Sequence, residues 1–390
     1  MTQFIDSFAT QQFLPPWISP GSKFWGFAIP LSADNVCGYL NKYFNGSYPD
    51  QAPYFYSPLP GPDGAKPGPQ FGLLAVGAHK AAASLYPGVE DEFGSEDTGW
   101  DRVAFTEIYF VIPVLRHDIT AGNILANPRI VWVQPVVYCD NASVVFSARE
   151  VWGADMQYAN IDMAADTPDG HLHVDAAIIG IKKFDPRSFN ELLAVLHLKT
   201  GRESPIGLEA IVAGDPDLGA FVKILASSGL FKGQPQGGLN LTETAGGIEM
   251  NELKQFRAVE DMGDAIYRAI VATRVIHAGI ENIRFFDCAQ VEIDFMWSDS
   301  IAEILKKIFG VGDPGSTGPA PGHPPVHPPR PSVPGATPTE VDWDLNRVPM
   351  TPALAFTFTS NVRFKVLKTL YSYGSGVEAT ARRETSALKS

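Results

Sequence analysis

Short apolar or alternating runs, broken by polar stretches rich in Gly and Pro, recur along most of the chain. Alternation with a period of two predicts half-buried strands, and unbroken apolar runs predict strands covered on both faces. Strands are expected at Lys23–Pro30, Phe71–Gly77, Phe105–Val114, Arg129–Cys139, His173–Phe184, Leu192–Lys199, Ala289–Met296 and Ala353–Thr359. Within Phe105–Val114 only Thr106 and Glu107 interrupt the apolar character. Helical spacing is rarer. It predicts a short helix from Ser32 to Phe44 with Ser32 as N-cap, and a second from Asp217 to Ser228. A third would cover Asp261–Arg274, turning to strand near Val271, and an amphipathic fourth Ser300–Phe309, closed by Gly310. Residues 45–70 and 87–101 read as loops, and 313–338 is a low-complexity, Pro-rich, extended stretch. Many strands with few intervening helices point to an antiparallel barrel or sandwich rather than a doubly wound parallel sheet.

The most informative stretch is Ser147–Tyr158. This stretch follows the Arg129–Cys139 strand and a polar turn at Asp140–Asn141. Arg149 and Glu150 lie between the apolar pairs Val145–Phe146 and Val151–Trp152, and such charges need partners if they are buried. In an extended backbone the two would point to opposite faces. Gly153 marks a tight bend or a close backbone approach.

Composition narrows the function classes. The 390 residues, 45% hydrophobic and 19% charged, can bury a sizeable core. A formal net charge of −13 argues against nucleic acid and against an anionic membrane surface. There is no apolar run long enough to span a bilayer, and the first residues lack a basic then apolar secretory pattern, so a soluble, cytoplasmic protein is expected. Cys37, Cys139 and Cys288 are widely spaced and suggest neither a metal motif nor a disulfide framework. No Gly-rich phosphate loop or Gly-x-Ser-x-Gly elbow is present.

The central stretch resembles the acetoacetate decarboxylase-like superfamily, whose members carry Gly-Arg-Glu-x-x-Gly, an aromatic, Pro and two Lys after a strand and turn. Ala148 to Gly153 match the first part. Phe105–Glu107 followed by Ile112–Val114 resembles the family's aromatic-x-Glu strand, and Glu252–Arg257, Ala265–Tyr267, Ala269–Val271 and Asp299–Glu303 resemble segments of longer members. The resemblance implies an α+β, β-rich fold, an antiparallel β-barrel or cone with peripheral helices, assembled as a homo-oligomer. It would occupy residues 1–310, followed by a Pro-rich linker or insertion at 311–340, a strand returning to the barrel within 341–375 and a polar tail at 376–390. The departure from the family is sharp. After Gly153 come Ala154, Asp155, Met156 and Gln157, none of which can form the imine that the family's Schiff-base decarboxylation requires. That chemistry needs a neutral amine, which burial and a neighbouring ammonium favour. An adjacent Asp155 would do the opposite.

Without that lysine, the expected role is acid–base chemistry of lyase, dehydratase, isomerase or cyclase type on a small or medium organic acid or keto metabolite, with no cofactor. Glu107 and Glu150 are the expected proton-transfer groups. Arg149 would anchor a carboxylate, and Trp152, Met156, Gln157 and Lys254 are further expected substrate contacts. One alternative is a ligand-binding member that performs no catalysis. Another is metal-dependent lyase or hydrolase chemistry through His171 and His173, which with Asp175 share one face of an extended strand. A solvated strand start explains the same residues without a metal. His197 and His277 read as lone histidines, and Lys182–Lys183 as a solvated pair at a strand end.

Overall fold

The computed structural model describes residues 15–45, 53–61, 67–68, 70–84, 102–120, 124–165, 171–180, 190–204, 206–227, 230, 247–257, 265–297, 308–309, 341–342 and 346–373. The strands in the first half are β1 (Trp17–Leu31), β2 (Tyr54–Ser57), β3 (Gln70–Ser84), β4 (Val103–Thr120), β5 (Ile124–Cys139), β6 (Met156–Tyr158), β7 (Asn160–Ala164) and β8 (His173–Gly180). They continue with β9 (Glu191–Lys199), β10 (Ile248–Arg257), β11 (Ala265–Phe285), β12 (Glu292–Trp297), β13 (Val341–Asp342), β14 (Asn346–Met350) and β15 (Leu354–Tyr373). The helices are α1 (Ala33–Leu40), α2 (Ala142–Ser147), α3 (Leu208–Val212) and α4 (Pro216–Ser227).

A nine-stranded sheet runs in the order β2-β4-β3-β1-β15-β11-β10-β5-β6, and an additional β4–β5 pairing closes it. The ring β4-β3-β1-β15-β11-β10-β5 is therefore a closed barrel of seven strands. Closure removes the free edges that would otherwise invite intermolecular pairing. A second sheet of order β14-β12-β9-β8-β7, with β13 beside β9, packs outside it. This second layer explains why the barrel strands are apolar without alternation. In β4, Phe105, Tyr109 and Val111 face one apolar cluster. Ile108, Phe110, Ile112 and Val114 belong to another, which they share with Val174, Leu196 and Phe295 of the second sheet. A strand buried on both faces gains from apolar residues at every position.

The expected β-rich barrel with peripheral helices is present, and most strands run longer than their apolar cores suggested. Local details differ. Ser32 is the N-cap of α1 as expected, though its side chain makes no capping bond, and the helix passes into a π-helical turn at Asn41–Asn45. The strand expected at Ala289–Met296 is β12, which starts at Glu292 after a 3-10 turn at Cys288–Gln290. The 45–70 segment contains β2. The helix expected across Asp261–Arg274 is strand from Ala265 onward, because β11 is paired on one side with β10 and on the other with β15. Tertiary pairing there overrides the helical propensity of an Ala-rich run. The Ser300–Phe309 helix lies outside the described residues apart from helical Ile308 and Phe309, and Lys182–Lys183 and the Pro-rich 313–338 lie wholly outside them. No helix among the described residues is long and apolar enough to cross a membrane.

Candidate active site in the barrel

The inner face of the barrel encloses a cavity of about 60 Å³, room for several waters or part of a small ligand. Trp17, Phe24, Trp152, Phe356, Phe358 and Phe364 supply an aromatic wall. Trp17 stacks on Phe364 at a centroid distance of 5.3 Å, and Phe24 on Phe358 at 5.2 Å. At one end α4 carries Phe221 against Phe71 and Trp132, at 5.4 and 6.2 Å. Into this apolar space project a few polar groups, among them Glu107, Gln134, Glu252, Thr273 and His277.

Glu107 reaches the cavity through strand parity, on the same face of β4 as Tyr109 and Val111, which also line it. Its Oε1 lies 3.2 Å from His79 Nε2, and the His79 side chain is wholly buried. His79 Nδ1 is 3.0 Å from Ser19 Oγ and 2.9 Å from Ser22 Oγ, while Ser22 Oγ donates to Ser19 Oγ at 2.7 Å. The tautomer that donates from Nε2 to the carboxylate and accepts at Nδ1 satisfies this chain. His79 also stacks on Phe105 at 4.3 Å, which fixes the ring plane. Gly77, opposite Glu107 in the β3–β4 register, leaves the necessary space. A Cβ there would come within 2.8 Å of Phe24 and 3.2 Å of His79 Nε2.

Glu252 lines the cavity from β10 and is 4% exposed. Burial, reinforced by the charge of Asp155, pushes its carboxyl up to about 8, so it is protonated at neutral pH and able to donate a hydrogen bond. Burial likewise holds His277 down to about 3. The His277 ring is neutral, and its Nδ1 meets Ser360 Oγ at 2.9 Å. The Trp152 indole N–H and the Thr273 hydroxyl are buried with no hydrogen-bond partner among the described residues. Both belong to the cavity lining, and unmet polar atoms in a cavity wall are available to a ligand.

The stretch that organises the sequence is helical, so the opposite faces that Arg149 and Glu150 would take in an extended backbone do not arise. Asn141 caps α2, its side chain accepting from Ser143 N at 3.0 Å and Val144 N at 3.3 Å. A π-helical turn, Ala148–Trp152, follows, and Gly153 ends it in the left-handed region with φ +84°, its N–H donating to Ala148 O at 2.8 Å. Arg149 and Glu150 therefore do not alternate across a strand. Both are exposed, and Arg149 lies 3.8 Å from the exposed Asp155, a pairing that water screens heavily. Trp152 and Met156 line the cavity, whereas Gln157 is exposed. Lys254 lies two residues beyond Glu252 on β10, half-buried, and donates to the backbone oxygen of Glu150. Burial lowers its amine pKa, against the opposing charge of Glu150.

The expected residues thus divide. Glu107, Trp152 and Met156 come together on the cavity wall, while Arg149, Glu150, Gln157 and Lys254 are not among its lining residues. Sequence reasoning missed Glu252 as a site residue, His79 altogether, and His277 as part of the wall. Of the histidines weighed for metal binding, His171 lies before β8 and donates from Nδ1 to Thr200 O at 2.7 Å. His173 and Asp175 are joined instead by His197 of β9.

No family model matches the chain, and no curated protein matches it. Among solved structures it is similar to acetoacetate decarboxylase from Legionella pneumophila, at 10% identity, with 92% of this chain and 89% of that one covered and a TM-score of 0.46. A second structure, described as from structural studies of acetoacetate decarboxylase, matches at 10% identity, with 91% of each chain covered and a TM-score of 0.42. Identity at this level transfers no residue role, so the chemistry must be read from the side chains in the cavity.

Proposed function

We propose that the barrel cavity binds a compact, largely apolar carbonyl compound and moves a proton on it, with Glu252 as the acid and Glu107 as the base. The observation that carries this reading is the pairing, in one aromatic-walled cavity, of a buried carboxyl pushed up to about 8 with a carboxylate tied to His79. A protonated Glu252 can donate to a carbonyl oxygen and stabilise the enolate that forms when a neighbouring C–H proton leaves. Glu107 takes that proton, and His79, anchored by Ser19 and Ser22, holds the carboxylate in place. The reaction class is proton abstraction α to a carbonyl, as in an isomerase, cyclase or dehydratase. The second carboxyl role passes from exposed Glu150 to Glu252. Among the described lining residues there is no Lys or Arg, which favours a neutral keto compound over an organic acid, since a carboxylate placed there would lack a counter-charge.

The test is deuterium exchange at the α-carbon of a panel of apolar ketones and β-keto esters, followed by NMR in heavy water. Exchange is expected for the wild type, with roughly 10²–10⁴-fold loss in Glu107→Gln and in Glu252→Gln. Wild-type rates in both variants would sink the proposal. Borohydride treatment in the presence of the same ketones should leave the intact mass unchanged, and a reduced adduct mapped to Lys254 would replace acid–base chemistry with an imine. A second reading, ligand binding without turnover, is favoured by the predominance of aromatic and aliphatic side chains in the wall. It predicts saturable ligand binding with no exchange for any panel member.

A further inference from the structure

We propose that His173, Asp175 and His197 form a site for a divalent first-row transition cation of the zinc class on the outer face of the second sheet, apart from the barrel cavity. The strand register builds it. Asp162 of β7 pairs with Asp175 of β8, Asp175 with His197 of β9, and His197 with Asp294 of β12. Cross-strand partners project from the same face, so these four side chains form one row across the sheet. His173, two residues before Asp175, shares that face and begins the next row, opposite Lys199 and then Glu292.

The geometry suits a metal. His197 Nδ1 lies 2.7 Å from Asp175 Oδ1 and His173 Nε2 3.3 Å from Asp175 Oδ2, and the candidate ligand atoms all fall within 4.8 Å of one another. Tetrahedral bonds of about 2.0–2.1 Å require ligand atoms about 3.4 Å apart. All three side chains are partly exposed and can close that difference by rotation, without moving the sheet. The two imidazole rings stand 5.2 Å apart, edge to face at 72°. Two imidazoles and one carboxylate are a donor set for zinc-class or ferrous ions rather than for calcium or magnesium. The surroundings add negative charge: Asp162, Asp294 and Glu292 flank the triad, against Lys199 and an Arg347 that is 3.7 Å from Asp294. None of the three ligands lines the cavity, so the ion would tie β8 to β9 and take no part in proton transfer on a bound ketone.

The experiment titrates Zn²⁺ into chelator-treated full-length protein by calorimetry, with Co²⁺ absorption as a second probe. One equivalent of Zn²⁺ is expected, together with a visible Co²⁺ band and a rise in Tm. His173→Gln, Asp175→Asn and His197→Gln should each weaken binding by about tenfold or more and abolish the Tm rise, while their circular dichroism matches the wild type. A wild type that takes up no zinc would overturn the site. So would variants that bind as the wild type does, since other histidines such as His323 or His327 would then hold the ion.

Discussion

At the scale of single residues, the barrel interior holds two groups whose titration is shifted far from that in water. Glu252 stays protonated up to about 8 against an ordinary carboxyl value of 4.5, and His277 stays neutral down to about 3 against 6.5. Each carries a stability consequence of definite sign. Between pH 4.5 and 8 the unfolded chain loses the Glu252 proton while the folded chain keeps it, so folding weakens as pH rises through that window and the penalty is constant above it. Glu252→Gln has no such proton. Its stability relative to wild type should therefore climb by up to about 1.4 kcal/mol per pH unit across the window and level off near pH 8. Urea midpoints measured for both proteins from pH 4 to 9 check this, and parallel curves would show that the carboxyl is not held protonated. For His277 the sign is reversed in pH. Below 6.5 the unfolded chain gains a proton that the folded one refuses, so stability falls toward pH 3. If Glu252 is the catalytic acid, exchange activity must also decline above about pH 8, where that proton is lost.

At the scale of elements, the helical segment ending in Gly153 shows what separates legible from illegible structure. Its signals are local: an Asn cap at 141 and a glycine twelve residues on, with φ +84°. A Cβ at position 153 would be strained by that φ and would meet Lys254 Cβ at 2.5 Å. Gly153→Ala should therefore cost about 1–3 kcal/mol, from the left-handed backbone and the displacement of β10 beneath it. A chemical-denaturation curve superimposable on wild type would remove the close approach from the account. The strands of the barrel were readable because both their faces are apolar, and Glu107 stood out against that background. The Glu252 run resembled the family in sequence, but nothing in its order of polar residues says which face lines a cavity. His79 sits in an apolar strand without a motif. The β8–β9 register brings His197 to Asp175, and neither strand's own sequence specifies that pairing, so two histidines 24 positions apart read as unrelated. Arg149 and Glu150 were weighed as site residues on the family resemblance, but a cap at Asn141 and a terminating Gly153 set a helix that leaves both exposed.

At the scale of the whole molecule, the barrel is not equally strong around its circumference. Antiparallel registers with many paired residues hold β1 to β3, β1 to β15, β11 to β15 and β10 to β11. The β5–β10 junction is parallel and, among the described residues, its register is Met250 with Trp132. Parallel pairing is slightly weaker per residue, and a short register gives fewer bonds to break together. The weak seam coincides with the cavity, since Ile248, Met250 and Glu252 of β10 line it. Separating β10 from β5 there would admit a ligand and water to Glu252 while the β1–β15–β11 wall stays intact. Hydrogen exchange followed by mass spectrometry should accordingly show β10 amides directed at β5 exchanging at least roughly tenfold faster than those of β1 and β15. A saturating ketone that occupies the cavity should slow the β10 amides selectively, because it binds only the closed seam. Uniform protection around the ring would place the entrance elsewhere, at the end covered by α4, where Phe221 rests on Phe71 and Trp132.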